Sequence, residues 1–108
     1  MRVYGKGSIY RGRLFSVHVL PNTLGKSRLG LSVSKRVGTA VERNKVRRRL
    51  KEIFRSSVRD RSDGGLDLVI SARPAAAEAS FEGLNTEFLW ALRKINKDVV
   101  ARELEEGS

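Results

Sequence analysis

Residues 35–61 read KRVGTAVERNKVRRRLKEIFRSSVRDR, and this stretch decides the fold. It holds eleven Lys/Arg against three Asp/Glu, so it carries +8 of the chain's formal +10. Val46, Leu50, Ile53, Phe54 and Val58 recur at helical spacing and gather on one stripe. At about 100° per residue, Asn44, Arg48, Lys51 and Arg55 project from the opposite side, with Lys45 flanking them. Arg43 and Arg47 fall at the edge of the apolar stripe, where the helix meets its packing partner. A solvated helix face normally mixes signs to limit self-repulsion. Here the cations accumulate with only Glu42 and Glu52 nearby, which costs stability unless a polyanion neutralises them. The stretch predicts an amphipathic helix with one face for a core and one for a polyanion.

The start of that helix is signalled by Gly38-Thr39. Thr39 is the N-cap candidate, and Glu42 three residues on completes a capping box. Upstream, Leu14 to Leu20 (LFSVHVL) alternates as a strand, with Phe15, Val17 and Val19 on one side and Ser16 and His18 on the other. Pro21-Asn22 ends it, and a polar loop leads to a second alternating strand from Arg28 to Ser34. There Leu29, Leu31 and Val33 oppose Gly30, Ser32 and Ser34. The two strands thus share a bulky apolar face, and their other face is small or polar. A sheet face covered by a helix carries large apolar residues; this one leaves a shallow floor on which an extended ligand can lie.

Downstream, the helical pattern fades near Arg61 and Ser62-Asp63-Gly64-Gly65 reads as a turn. Asp67 to Ala72 (DLVISA) is a short strand, with Leu68 and Ile70 on one face and Val69 and Ser71 on the other. Asp63 and Asp67 flank that turn and are assigned to turn chemistry. Ala75 to Ala79 reads as a linker, and Ser80 as the N-cap of a last helix. Its core stripe is Phe81, Leu84, Phe88, Leu92, Ile95 and Val99; Trp90 lies off the stripe and reads as edge packing. Met1 to Gly7 and Glu103 to Ser108 are expected to be irregular or frayed. The order strand, strand, basic helix, strand, helix gives an α+β class, a two-layer sandwich with both helices on one face of a small sheet.

Composition bounds the function. A chain of 108 residues supports one domain with a single modest core, spanning 1–108. No apolar run approaches the roughly 20 residues of a membrane span, and no secretory signal opens the chain. Zero cysteines exclude disulfides and any Cys-based zinc site or nucleophile. With a single His (His18), no carboxylate pair and no Gly-rich phosphate loop, no catalytic constellation and no metal site emerge. A pI near 10.9 points to nucleic acid as partner. No helix-turn-helix pair precedes the basic helix, so DNA is not expected. The location expected is cytoplasmic.

The run from Val37 to Lys51, VGTAVERNKVRRRLK, resembles the "RNR" signature of the bacterial ribonuclease P protein family. Its flanks, Gly30 to Lys35 and Ile53 to Arg55, are also similar, and a weaker match extends from about Val3 to Ile95. The resemblance implies a ribosomal-protein-like fold with a left-handed βαβ crossover, against the general right-handed preference. It also implies a longer N-terminal helix before this point, most of which is missing here. Two sites follow from it. Lys35, Arg36, Arg43, Asn44, Lys45, Arg47, Arg48, Lys51 and Arg55 would face the catalytic RNA. Tyr4, Ser16, His18, Ser32 and Ser34 would line a cleft for the single-stranded 5′ leader of precursor tRNA. His18 stands at an aromatic position of that cleft and keeps a ring that stacks on a base.

Of the basic residues, Arg43, Arg47 and Arg48 suit forked contacts to phosphate, while Lys45 and Lys51 act as compact charges. Asn44, a poor helix former, either caps a base edge or fixes a neighbouring Arg. Catalysis would reside in the RNA subunit with Mg2+ bound there, and the protein alone would hold no cofactor. The residues by themselves leave open a ribosomal or other structural RNA-binding protein, and more remotely a DNA-binding module or a protein-only nuclease.

Overall fold

The computed structural model describes residues 8–22, 25–57 and 65–107. It forms strands β1 (Ser8–Arg11), β2 (Phe15–Asn22) and β3 (Arg28–Ser32), then helix α1 (Ala40–Ser57), strand β4 (Gly65–Ala72) and helix α2 (Phe81–Gly107). The strands make one sheet in the order β1-β2-β4-β3. β2 pairs antiparallel with both β1 and β4, whereas β3 and β4 run parallel. A parallel pair needs a long crossover, and α1 supplies it. The sheet is mixed and the class is α+β, with both helices contributing to a single core on one sheet face.

That core follows the alternation. Phe15, Val17 and Val19 of β2 and Leu68 and Ile70 of β4 are fully buried against Val46, Leu50 and Ile53 of α1. Leu84, Phe88, Ala91 and Leu92 of α2 complete it. Each large apolar side chain buried in this way contributes about 1.5–3 kcal/mol relative to exposure. The opposite face of the sheet therefore receives the alternate residues and carries no helix from the core cluster.

Several sequence expectations are corrected. β1 was not anticipated: Ser8–Arg11 pairs with Ser16–Val19, and the hairpin is closed by the Gly12 N–H on the Phe15 carbonyl at 3.0 Å. Glu87 of α2 caps the same turn, its Oε2 accepting from the Leu14 and Phe15 N–H groups at 3.0 and 3.2 Å. β2 also runs on through Pro21-Asn22, where Pro21 pairs only with Leu66, beyond the last residue that β1 reaches among the described residues.

Asp67 lies in β4 as expected, but its side chain serves a cross-strand pairing rather than turn chemistry. Arg28 Nε and Nη2 donate to its two carboxylate oxygens at 2.9 and 2.8 Å, and Asn22 Nδ2 donates at 2.8 Å. Asp63 lies outside the described residues, as do Met1 to Gly7 and Val58. The Ala75–Ala79 linker is instead a 3-10 turn, Pro74–Glu78, that buries Ala76. Ser80 caps α2 as expected, accepting from the Gly83 N–H at 3.0 Å. Phe81, the first helical residue, is not core but 40% exposed. The helix continues to Gly107, through residues 103–107 expected to be frayed, because Ala101-Arg102-Glu103-Leu104-Glu105 are strong helix formers.

Candidate nucleic-acid interface

α1 is started by local chemistry. The Glu42 N–H donates to Thr39 Oγ1 at 3.2 Å, and Glu42 Oε1 accepts from the Thr39 N–H at 2.9 Å, the reciprocal pair of a capping box. Gly38 precedes it at φ +152°, a conformation that a side chain resists, and a Cβ there would strike the Glu42 carboxylate. The chain can thus turn sharply from the 3-10 turn Lys35–Val37 into α1.

α1 carries seven Lys/Arg against two Glu. Asn44, Arg48, Lys51 and Arg55 are exposed, as the periodicity indicates, and Arg43, Lys45 and Arg47 are half-buried at the margin. Neither Glu offsets much of this charge. Glu42 is engaged by Thr39, and Glu52 pairs at 3.0 Å with Arg55, an exposed contact of small energetic weight. Arg49 is diverted to structure, its Nη1 donating to the Ala79 carbonyl at 2.9 Å. Asn44 proves to be the residue that fixes an arginine: its Oδ1 accepts from Arg47 Nη1 at 3.1 Å. Arg47 Nη2 reaches the Val33 carbonyl at 3.5 Å, so this arginine spans from α1 to the end of β3. Arg43 buries its Nε with no hydrogen-bond partner among the described residues. An unpaired buried donor is costly.

The open sheet face is ordered in rows by the strand register. One row runs Ile9, His18, Val69, Gly30, and the next runs Arg11, Ser16, Ser71, Ser32. A third ends in the Asp67–Arg28 pair. The first row is a low apolar floor with one ring; Ile9 and Val69 are exposed by 49% and 39%. The second offers three hydroxyls and a guanidinium.

Ser16, His18 and Ser32 therefore share the open sheet face, the side that their alternation indicates. Ser34 does not share their strand: it follows the end of β3, and its Oγ accepts from the Arg36 N–H at 3.3 Å. It sets the turn that presents Lys35 and Arg36, both exposed. Tyr4 lies outside the described residues. Sequence reading put Val69 and Ser71 on this side of their strand without assigning them to the site, and it missed Ile9 and Arg11 along with β1. Trp90, expected as edge packing, is 63% exposed. It borders a cavity of about 440 Å3 lined also by Tyr10, Arg13 and Glu87. There burial first and the Glu87 carboxylate second push the Tyr10 phenol pKa up.

A family model described as Ribonuclease P matches residues 1–96. The chain is 36% identical over 84 residues to the ribonuclease P protein component of Clostridioides difficile, covering 78% of this chain and 74% of that one. The chain belongs to the ribonuclease P protein family. Its fold superposes on the RNase P protein of Thermotoga maritima with a TM-score of 0.74 at 30% identity, over 86% of this chain and 90% of that one. The Staphylococcus aureus RNase P protein gives 0.71 at 31% identity, over 87% of each. The molecule is accordingly a protein subunit of ribonuclease P, a ribonucleoprotein endonuclease of tRNA processing, and its partner in that complex is RNA. The structural RNA-binding alternative finds no support in these relatives. Among the described residues no helix is long and apolar enough to cross a membrane.

Proposed function

We propose that the basic face of α1, with Lys35 and Arg36, binds the RNA subunit of ribonuclease P while the open sheet face holds the 5′ leader of precursor tRNA. The observation that carries this reading is the junction between the two surfaces. Arg47 leaves α1 and reaches Val33 just past β3, and Ser34 holds the backbone of Arg36, so the cations begin where the sheet floor ends. One protein can then touch catalytic RNA and substrate together.

The division of labour is physical. Arg48 and Lys51 neutralise phosphates and release counterions, which makes binding tight and salt-dependent. His18 and the apolar row offer surface to unstacked bases, and the serine row offers hydroxyls to ribose and phosphate. Mg2+ held by the RNA would supply the activated nucleophile and stabilise developing charge. The protein's residues bind and orient the leader beside that centre. The complex would work in the cytoplasm.

The test is cleavage of a precursor tRNA carrying a 5′ leader at low Mg2+, by a bacterial ribonuclease P RNA with and without this protein. Rescue by the protein, with no cleavage by the protein alone, is the expected result. Tight binding to the RNA without any gain in cleavage or in leader-dependent affinity would refute the reading of the sheet face.

A further inference from the structure

The strand that sequence reading missed adds a residue to the open face, and its placement has a functional consequence. β1 is an edge strand, and Tyr10 turns its ring toward the core side, so Ile9 and Arg11 alternate onto the open side. Register puts Arg11 opposite Ser16, Ser16 opposite Ser71, and Ser71 opposite Ser32. Three hydroxyls thus stand in a line across the sheet with a guanidinium at one end. With neighbouring strands about 4.8 Å apart, the line from Arg11 to Ser32 spans about 14 Å. At its other end, on the edge strand β3, the chain continues within four residues to the exposed Lys35 and Arg36. Cations therefore bracket the hydroxyl line on both sides.

Arg11 is exposed and forms no ion pair among the described residues. The ion pairs among the described residues are Arg28–Asp67 and Arg55–Glu52, and neither involves it. The carboxylate on the open face, Asp67, pairs across to Leu20, two rows away from Ser16, and is held by Arg28. Parallel to the hydroxyl line, two residues along each strand and so about 7 Å away, runs the apolar line of Ile9, His18, Val69 and Gly30. A single RNA strand has the same two-sided character, with bases along one side and ribose-phosphate along the other.

We propose that Arg11 is a leader-positioning residue: laid across the strands, the leader rests its bases on the Ile9–Val69 line and its backbone on the serine line, with Arg11 taking the outermost phosphate. This rests on the open face being the leader site. Arginine suits the position because its planar fork matches two phosphate oxygens, and an edge strand leaves it room to follow the backbone. The serines hydrogen-bond ribose 2′-hydroxyls, which favours RNA over DNA along the same line.

The test uses the holoenzyme reconstituted with ribonuclease P RNA and two precursors that differ only in leader length, one long and one a single nucleotide. Arg11→Ala should weaken binding of the long-leader precursor by roughly threefold to tenfold, as for one hydrogen-bonded contact. It should also lower the salt slope for that precursor by about 0.7, the value for one phosphate of a single strand. The single-nucleotide precursor, which does not reach β1, should bind the variant as it binds the wild type, and Arg11→Lys should keep the salt slope. If the wild type prefers the long leader and Arg11→Ala keeps that preference in full, the inference is overturned while the leader site stands. If the wild type shows no preference for the long leader, the leader site itself fails and Arg11 with it.

Discussion

Asn44 holds Arg47: the side-chain oxygen of one accepts a hydrogen bond at 3.1 Å from the guanidinium of the other, one helical turn apart. The contact explains a poor helix former in the middle of α1 and makes the two residues a unit. Asn44→Ala should leave stability within about 0.5 kcal/mol, since the site is exposed. RNA affinity should fall, and a double-mutant cycle with Arg47→Ala should show coupling of about 0.5–1.5 kcal/mol. Strict additivity in RNA binding would separate the two residues.

The exposed cations Arg48 and Lys51 have no carboxylate partner among the described residues. Replacing either by Ala should reduce the slope of log affinity against log salt by about 0.7–0.9 per lost phosphate contact. Folding stability should hold or rise slightly, because like-charge repulsion on α1 falls. Binding to RNA measured from low to moderate salt decides the point, and an unchanged slope would take the basic face away from the phosphates.

Leu50 is fully buried between α1 and the sheet. Leu50→Ala should destabilise by about 2–5 kcal/mol through lost burial and the cavity left behind. Urea unfolding measures this directly. A cost under about 0.5 kcal/mol would mean α1 is rotated from the orientation described.

Asp67 is held ionised chiefly by the hydrogen bonds from Arg28, then by the one from Asn22, and its carboxyl pKa lies below the usual range despite an opposing desolvation effect. A carboxylate with a lower pKa folded than unfolded adds stability above its unfolded pKa and loses it as pH falls through the folded one. Wild-type stability should therefore decline on acidification below about pH 4 in a way that Asp67→Asn does not share. Paired unfolding curves at neutral and acid pH are the measurement, and parallel declines in both proteins would remove Asp67 from the acid sensitivity.

Much of this architecture was legible because it is periodic. The stripe Val46, Leu50, Ile53 set the inner face of α1, and alternation set which residues of β2, β3 and β4 face the core. Thr39 and Glu42 announced the capping box by spacing alone. What was hidden depends on partners distant in sequence. β1 is four residues long, too short for alternation to register, and it exists because β2 pairs with it and Glu87 holds the turn between them. The Arg28–Asp67 pair is visible only once β3 lies parallel to β4. Sorting Arg49 into structure and Arg48 into binding needs the position of the Ala79 carbonyl, which no helical wheel contains. Trp90 is exposed because its face of α2 turns away from the sheet, a rotation fixed by Leu84, Phe88 and Ala91.

Gly30 separates the height of the open floor from its stability. A Cβ placed there meets Val69 Cγ2 at 3.8 Å and the Leu68 carbonyl oxygen at 4.0 Å, ordinary contact distances, so the position does not require glycine for packing. Gly30→Ala should fold as well as the wild type or better, by up to about 0.5–1 kcal/mol, because glycine in a strand costs entropy. Gly30→Leu should also fold, since β3 is an edge strand with solvent above this residue. Its side chain would rise from the floor beside Val69 and occupy the path of the leader. Affinity for a long-leader precursor should then fall with Gly30→Leu and hold with Gly30→Ala, while affinity for the RNA subunit is the same in both. Binding titrations with the two RNAs measure this. Equal leader affinity in both variants would show that the leader does not cross β3 at this row.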